Sequence, residues 1–340
     1  MIDTIFDHCI INSFQAKRLV ITPSAKCRES PHQFRLRYCL SINPYPRRHH
    51  PIFSGMTTSV LMANTRETPP IVLTFAASDP SGGAGLQADI LTLSSMGCHP
   101  LSVVTAITVQ DTLGVEDVMA MDAEWVADQA RCVLEDMPVG VFKVGLIGSV
   151  ENVAAIAEVV ADYPDIPLIL DPVIASGRGD ELAGDDILTA LQEMLIPQTT
   201  LLTPNSLEAR RIAQLDDDEG DAEPDLAECA RRIIEMGCEF VLITGTHENT
   251  PQVVNTLYGE SGVLRSDSWP RLPGSYHGSG CTLASAIAAS IAHGLDIPEA
   301  VKEAQEFTWQ ALKAGFRPGM GQHIPDRLFW AREEEDAARG

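Results

Sequence analysis

From residue 71 onward, short apolar runs alternate with stretches in which apolar residues recur every three or four positions. The runs at 71–76, 102–108, 141–145, 168–170, 200–202 and 240–243 are short and continuously apolar, as strands buried on both faces are. The stretches at 86–96, 122–134, 151–160, 185–195 and 226–236 carry the helical period. Strand followed by helix, repeated, predicts an α/β domain: a mainly parallel sheet with helices on both faces, a three-layer sandwich. Two further runs, 253–258 and 262–265, flank Gly259-Glu260-Ser261 and predict a small antiparallel hairpin. Helices at 280–293 and 298–314 close the pattern. Without an internal repeat or an interdomain linker, residues 67–330 read as one domain, followed by a charged tail at 331–340.

The first 66 residues lack any sustained period. They hold nine Lys or Arg against three acids, a balance of +6, which leaves −29 for the remainder of a chain whose net charge is −23. A secretory signal would need a basic start followed by an apolar block, and neither is present. Few acids and several arginines are compatible with a mitochondrial transit peptide. The favoured expectation is a disordered or spuriously translated leader, with Met56 or Met62 as the natural start.

Composition narrows the classes further. The strongly acidic balance argues against a nucleic-acid binder, which needs a basic face, and against docking on an anionic membrane. No window approaches the roughly 18 apolar residues of a membrane helix. The eight cysteines include no CxxC pair and no HxxxH neighbour, so a structural zinc site is not expected. Scattered cysteines suit a reducing cytosol, and a cytoplasmic location is the expectation.

Four places carry candidate chemistry. Asp79-Pro80-Ser81-Gly82-Gly83-Ala84-Gly85 joins a strand to a helix; its glycines let the backbone approach a ligand, although a plain turn reads the same way. Asp89 falls within the apolar stripe Leu86, Ile90, Leu93, Met96, so it needs either a structural partner or a polar ligand. Gln110 ends the second strand, at the edge where open α/β sheets bind ligands. A carboxylate and a carboxamide facing one pocket suit an aminopyrimidine edge, which offers donors and acceptors.

Gly278-Ser279-Gly280-Cys281 precedes a helical run. Successive amides there can converge on an anion, and the thiol pKa of Cys281 is expected to fall at the helix start. An inert buried cysteine is the alternative. Asn205 and Glu208, three apart at another helix start, and Asp171 at a strand end suit Mg²⁺ held through water. Capping for Asn205 and plain exposure for Glu208 are the simpler readings. The acidic run Asp216-Asp217-Asp218-Glu219-Gly220-Asp221 reads as a solvated loop.

The order and spacing of these elements resemble the hydroxymethylpyrimidine/phosphomethylpyrimidine kinases of thiamine synthesis. The likeness runs from about 71 to 326. It rests on the Ser78–Asp89 run, on Val104-Thr105-Ala106 with Gln110, on Asp171-Pro172-Val173, on Thr203-Pro204-Asn205 with Glu208, and on His277-Gly278-Ser279-Gly280-Cys281-Thr282-Leu283. The resemblance implies a ribokinase-like fold, a homodimer and MgATP as phosphoryl donor. It implies that Gln110, Asp89, Gly83 and Leu146 contact a small pyrimidine. Asn205, Glu208, Asp171 and Thr244 would serve ATP and Mg²⁺, with the metal held by Glu208 and Asp171 through water. Amides of Gly278, Ser279, Gly280 and Cys281 would form the anion hole, with Cys281 as catalytic base where sugar kinases of this fold place an aspartate.

Two positions depart from the family pattern. Ser279 replaces the usual threonine and keeps the hydroxyl. Thr244 stands where a phosphate-binding lysine is usual, which weakens the case for a second phosphorylation unless Lys143 or Arg178 substitutes. The rival readings are a pyridoxal or pyridoxine kinase of the same fold and a catalytically weak pyrimidine-binding sensor.

Overall fold

The computed structural model describes residues 68–174, 184–214 and 225–332. The strands are β1 (Ile71–Ser78), β2 (His99–Gln110), β3 (Val115–Ala120), β4 (Val141–Val144), β5 (Leu168–Leu170), β6 (Leu201–Leu202), β7 (Phe240–Thr244), β8 (Gln252–Gly259) and β9 (Gly262–Pro270). They form one nine-stranded sheet in the order β3-β2-β1-β4-β5-β6-β7-β8-β9. The six strands from β2 to β7 in that order pair in parallel, while β3 pairs antiparallel with β2 at one edge, and β8 with β7 and β9 with β8 at the other. Chain order reverses around β1, whose neighbours are β2 on one side and β4 on the other. Open α/β sheets bind ligands beside such a switch point, at the carboxyl ends of the strands.

The helices are α1 (Gly85–Ser95), α2 (Ala123–Leu134), α3 (Val150–Ala161), α4 (Asp185–Ala190), α5 (Ser206–Ala213), α6 (Leu226–Glu235), α7 (Ser279–Ala292) and α8 (Ile297–Lys313). Side chains alternate across the pleat, so each central strand feeds two cores. Leu73, Phe75, Phe142 and Val144 pack with Val126, Ile156, Ile212 and Ile233 from α2, α3, α5 and α6. Val72, Val141 and Ile169 pack with Leu93, Ile287 and Val301 from α1, α7 and α8. By the same alternation Thr74 and Lys143, register partners on β1 and β4, face α1 and α7. That places a lysine inside the second core. Helix α7 tolerates this burial because alanine and serine fill most of its buried positions.

Strands β1, β2, β4, β5, β6 and β7 and the β8–β9 hairpin lie where the hydrophobic pattern puts them, with β9 extending further, to Pro270. Strand β3 was not expected, and the segment expected as one helix at 185–195 is α4 followed by a π turn at Leu191–Leu195. The expected leader, the acidic loop at 216–221 and Arg178 lie outside the described residues, as does the tail from 333. No helix among the described residues is long and apolar enough to cross a membrane.

Candidate active site

A cavity of about 450 Å³ opens at the carboxyl ends of the parallel strands. Gln110 and Thr108 of β2 and Leu146 after β4 line one end; Thr203, Asn205, Glu208 and Thr244 line another; Asp171 and residues 278–281 lie between them. Leu146 is set by a hydrogen bond from the Thr105 hydroxyl to its carbonyl, 2.6 Å, which explains the threonine of the Val104-Thr105-Ala106 motif.

The floor is built from two glycine turns pressed together. Gly278, left-handed at φ +84°, is the N-cap of α7 and provides no side-chain cap, so the first amides of α7 have no side chain competing for them. A Cβ on Gly278 would lie 1.8 Å from the Gly83 carbonyl oxygen, so only glycine fits. Gly85, at φ +57°, is equally constrained: a Cβ there would lie 2.3 Å from the Ala77 carbonyl oxygen. The Asp79 carboxylate organises the first turn, accepting from the amides of Ser81 at 2.8 Å and Ala84 at 2.7 Å, and from the Ser81 hydroxyl. It also meets His277 Nε2 at 2.9 Å. Burial alone would raise its pKa, but these hydrogen bonds, led by His277, hold it below the ordinary aspartate value.

Three expectations need correction here. Asp89 does not face the cavity. It is 0% exposed, and its oxygens accept from Thr74 Oγ1 at 2.7 Å, Ser285 Oγ at 2.7 Å and the Lys143 ammonium at 3.0 Å. The structural partner it needed is therefore Lys143, which is equally buried and is held by that pair. Gly83 is also not a lining residue; its buried position is set by His277, whose Cδ2 a Cβ there would meet at 2.3 Å. Cys281 does sit in the first turn of α7, but its thiol pKa is raised to about 12, not lowered. Burial outweighs the pull of Lys143 and of the Gly85 amide, and Asp171 and Asp89 push the same way as burial.

Asn205 caps α5 through the amides of Leu207 at 2.9 Å and Glu208 at 3.0 Å, and Glu208 returns the capping box to the Asn205 amide at 2.9 Å. The simpler reading of Asn205 is thus realised, yet both residues still line the cavity. The Glu208 carboxyl is pushed up to about 8 by burial and then by Asp171. Asp171 is raised to about 6, burial outweighing the opposing pull of Lys143. One of its oxygens, Oδ2, is buried without a partner. Two crowded carboxyls and an orphaned carboxylate oxygen are a donor set that a hard cation fits, although the described residues contain no cluster of three or more metal-ligating side chains.

Several lining residues were not singled out from the sequence. His277 was quoted only as part of a motif. Trp269 is anchored through Nε1 to Gln305 Oε1 at 3.0 Å, and Arg271 is held by the carbonyls of Gly245, Thr246, Glu248 and Thr250. A lone tryptophan near the end of an edge strand, or an arginine just after it, carries no such signal.

A doubly covered parallel sheet with a glycine-built anion site at a helix start beside paired carboxyls defines a small-molecule kinase of the ribokinase-like class. The phosphomethylpyrimidine kinase family model matches residues 79–326, and the chain belongs to that family. The hydroxymethylpyrimidine/phosphomethylpyrimidine kinase of Streptomyces coelicolor is 39% identical over 262 residues, covering 75% of this chain and 93% of that protein. Among solved structures, Clostridium difficile phosphomethylpyrimidine kinase aligns with a TM-score of 0.61 at 34% identity, over 71% of this chain and 98% of that one. An ADP complex of Bacillus subtilis pyridoxal kinase aligns with a TM-score of 0.70 at 26% identity, over 78% and 99%.

Proposed function

We propose that this chain transfers the γ-phosphoryl group of ATP to the hydroxymethyl group of 4-amino-5-hydroxymethyl-2-methylpyrimidine, and then phosphorylates the monophosphate to the diphosphate used in thiamine synthesis. The observation that carries the reading is the meeting of three elements in one cavity: the uncapped α7 amides, the Cys281–Asp171 pair, and the Gln110 carboxamide. Gln110 presents a donor and an acceptor to the pyrimidine edge while Leu146 covers the ring face. The α7 amides at Ser279, Gly280 and Cys281 receive the transferring phosphoryl group, whose loose transition state needs placement and charge stabilisation more than a strong base.

The thiol state of Cys281 changes the proton route. As the substrate oxygen bonds to phosphorus its proton passes to the Cys281 sulfur, while the thiol proton passes to Asp171. Phosphorus–oxygen bond cleavage releases ADP. Asp171 is suited to receive the proton because its pKa, near 6, is much closer to neutrality than that of an ordinary aspartate. Glu208 and Asp171 would hold Mg²⁺ through water, with Asn205 nearby; bound there, the ion supplies charge neutralisation to the phosphates. Thr244 leaves the second transfer without the family lysine, and it is expected to be the slower step.

A pH test bears on the metal. Glu208 has an ordinary value of 4.5 and is raised to about 8 in the folded protein, so it contributes stability that is present at low pH and lost as pH rises through its folded value. The metal-free protein should therefore melt at progressively lower temperature from pH 5 towards pH 8, and Mg²⁺ should restore most of the loss at pH 8. A melting temperature indifferent to Mg²⁺ at pH 8 would remove the metal from this site.

Gln110→Ala tests the substrate assignment. It should raise KM for the pyrimidine about 3- to 10-fold, as the loss of one or two neutral hydrogen bonds predicts, and leave KM for ATP unchanged. An unchanged pyrimidine KM would place the ring elsewhere. Pyridoxal is the second reading, favoured by the structural likeness to pyridoxal kinase. Association into homodimers is supported by Ile107, Val109 and Met119, exposed apolar residues on the β2–β3 edge. The free cysteines at 98, 132, 238 and 281 support a reducing, cytoplasmic setting.

A further inference from the structure

One buried cation takes no part in the transfer described above. Arg327 lies beyond α8 and is 3% exposed. Its Nη2 donates to the Gly83 carbonyl at 2.6 Å and to the Gly278 carbonyl at 3.4 Å, and its Nε donates to Thr282 Oγ1 at 3.0 Å. The Thr282 hydroxyl in turn donates to the Gly278 carbonyl at 2.7 Å. Among the described residues no carboxylate pairs with Arg327; the neighbouring Asp326 pairs with Arg332. Burial draws its pKa down to about 10, which still leaves it charged at neutral pH.

A buried guanidinium bonded only to neutral oxygens is costly for stability alone. Its place explains why it is there. The Gly278 carbonyl belongs to the same peptide unit as the Ser279 N–H, the first amide of α7. A hydrogen bond from a cation to that carbonyl, reinforced through Thr282, polarises the peptide and strengthens the N–H as a donor. The same guanidinium holds the Gly83 carbonyl, against which Gly278 is pressed. The His277–Asp79 contact ties the two turns a second time. Arg327 does not line the cavity, so it reaches a ligand only through these peptides.

We propose that Arg327 is a positioning residue for phosphoryl transfer: from behind the cavity it locks the Gly278 peptide to the Gly83 turn and biases the Ser279 amide towards an anion. The inference rests on the kinase reading above and adds to it the group that keeps the anion site assembled and charged.

The test uses the full chain with Arg327→Met and Arg327→Lys. Direct loss of one oxyanion donor costs about 10²–10³-fold, so loss of its support should lower kcat of Arg327→Met about 10- to 100-fold. Both KM values should stay within about 3-fold of wild type, since ground-state contacts are kept. Lysine, which keeps the charge without the fork, should recover part of kcat. The melting temperature should not fall, because an unpaired buried charge is removed. Inhibition by ADP with aluminium fluoride, a mimic of the transferring group, should weaken with kcat, while ADP alone binds as before.

A kcat for Arg327→Met within about 3-fold of wild type would overturn the proposal. So would a parallel loss of kcat, both KM values and melting temperature in both variants, which would make Arg327 a brace of the fold only. If the wild-type chain formed no phosphorylated pyrimidine, the substrate assignment would fail, and the aluminium fluoride comparison would still decide the role of Arg327.

Discussion

Replacement of Cys281 by alanine is expected to lower kcat about 10²- to 10⁴-fold, the range for loss of a positioned proton-transfer group, while the pyrimidine dissociation constant changes little. Cys281 lines the same cavity as the α7 amides and Asp171, so its removal breaks the proposed proton route without touching Gln110 or Leu146. Isothermal titration with the pyrimidine, beside steady-state turnover, separates the two effects. Cys281→Ser, which restores a relay of similar size, should recover part of the rate. Turnover of the alanine variant within a few-fold of wild type would show that the substrate oxygen loses its proton elsewhere, and the catalytic assignment of Cys281 would fall.

The largest effect on stability is expected at Lys143. Lys143→Met leaves Asp89 buried at 0% exposure with no ammonium facing it, and breaking a buried pair in this way costs about 3–5 kcal/mol. Burial alone would lower the lysine pKa, but its acidic neighbours, Asp89 first, hold it above the ordinary value, so the lysine is charged in the folded protein. Removing both charges with Lys143→Met and Asp89→Asn should recover most of the loss, because Thr74 and Ser285 can still bond the asparagine amide. Urea unfolding of the single and double variants checks this. Equal destabilisation of the two would mean that the side chains matter for packing and not as an ion pair.

The hydrophobic period made the architecture legible because every central strand is buried on both faces: Leu168–Leu170 reads as a strand and is one. Strand β3 was hidden because Val-Glu-Asp-Val-Met-Ala at a sheet edge buries no residue fully and shows no alternation. Strand β9 ran past its expected end because Ser266, Asp267 and Ser268 also lie on an edge, where polar side chains are tolerated. The helix at 185–195 loses its α form where Leu191–Leu195 widens into a π turn before Pro197, a change that the apolar spacing does not encode.

In the site, the glycines were legible because only glycine permits the Gly278 and Gly85 geometry. The charges were not. Asp89 in an apolar stripe signals a need for a partner, but only the register of β1 with β4 brings Lys143 under it. Cys281 does stand in the first turn of α7, but its burial is not visible in the motif. Burial and the two carboxylates that topology places around the sulfur outweigh Lys143 and the Gly85 amide. Arg327, far along the chain and in no motif, becomes visible only once its guanidinium is seen on Gly83 and Gly278.

The most direct measurement is turnover of the full chain with ATP and Mg²⁺ on hydroxymethylpyrimidine, its monophosphate and pyridoxal, with products separated by chromatography. Monophosphate and then diphosphate are expected from the pyrimidine, the second step slower, with little product from pyridoxal. Tight pyrimidine binding without product, or efficient phosphorylation of pyridoxal alone, would contradict the proposed function.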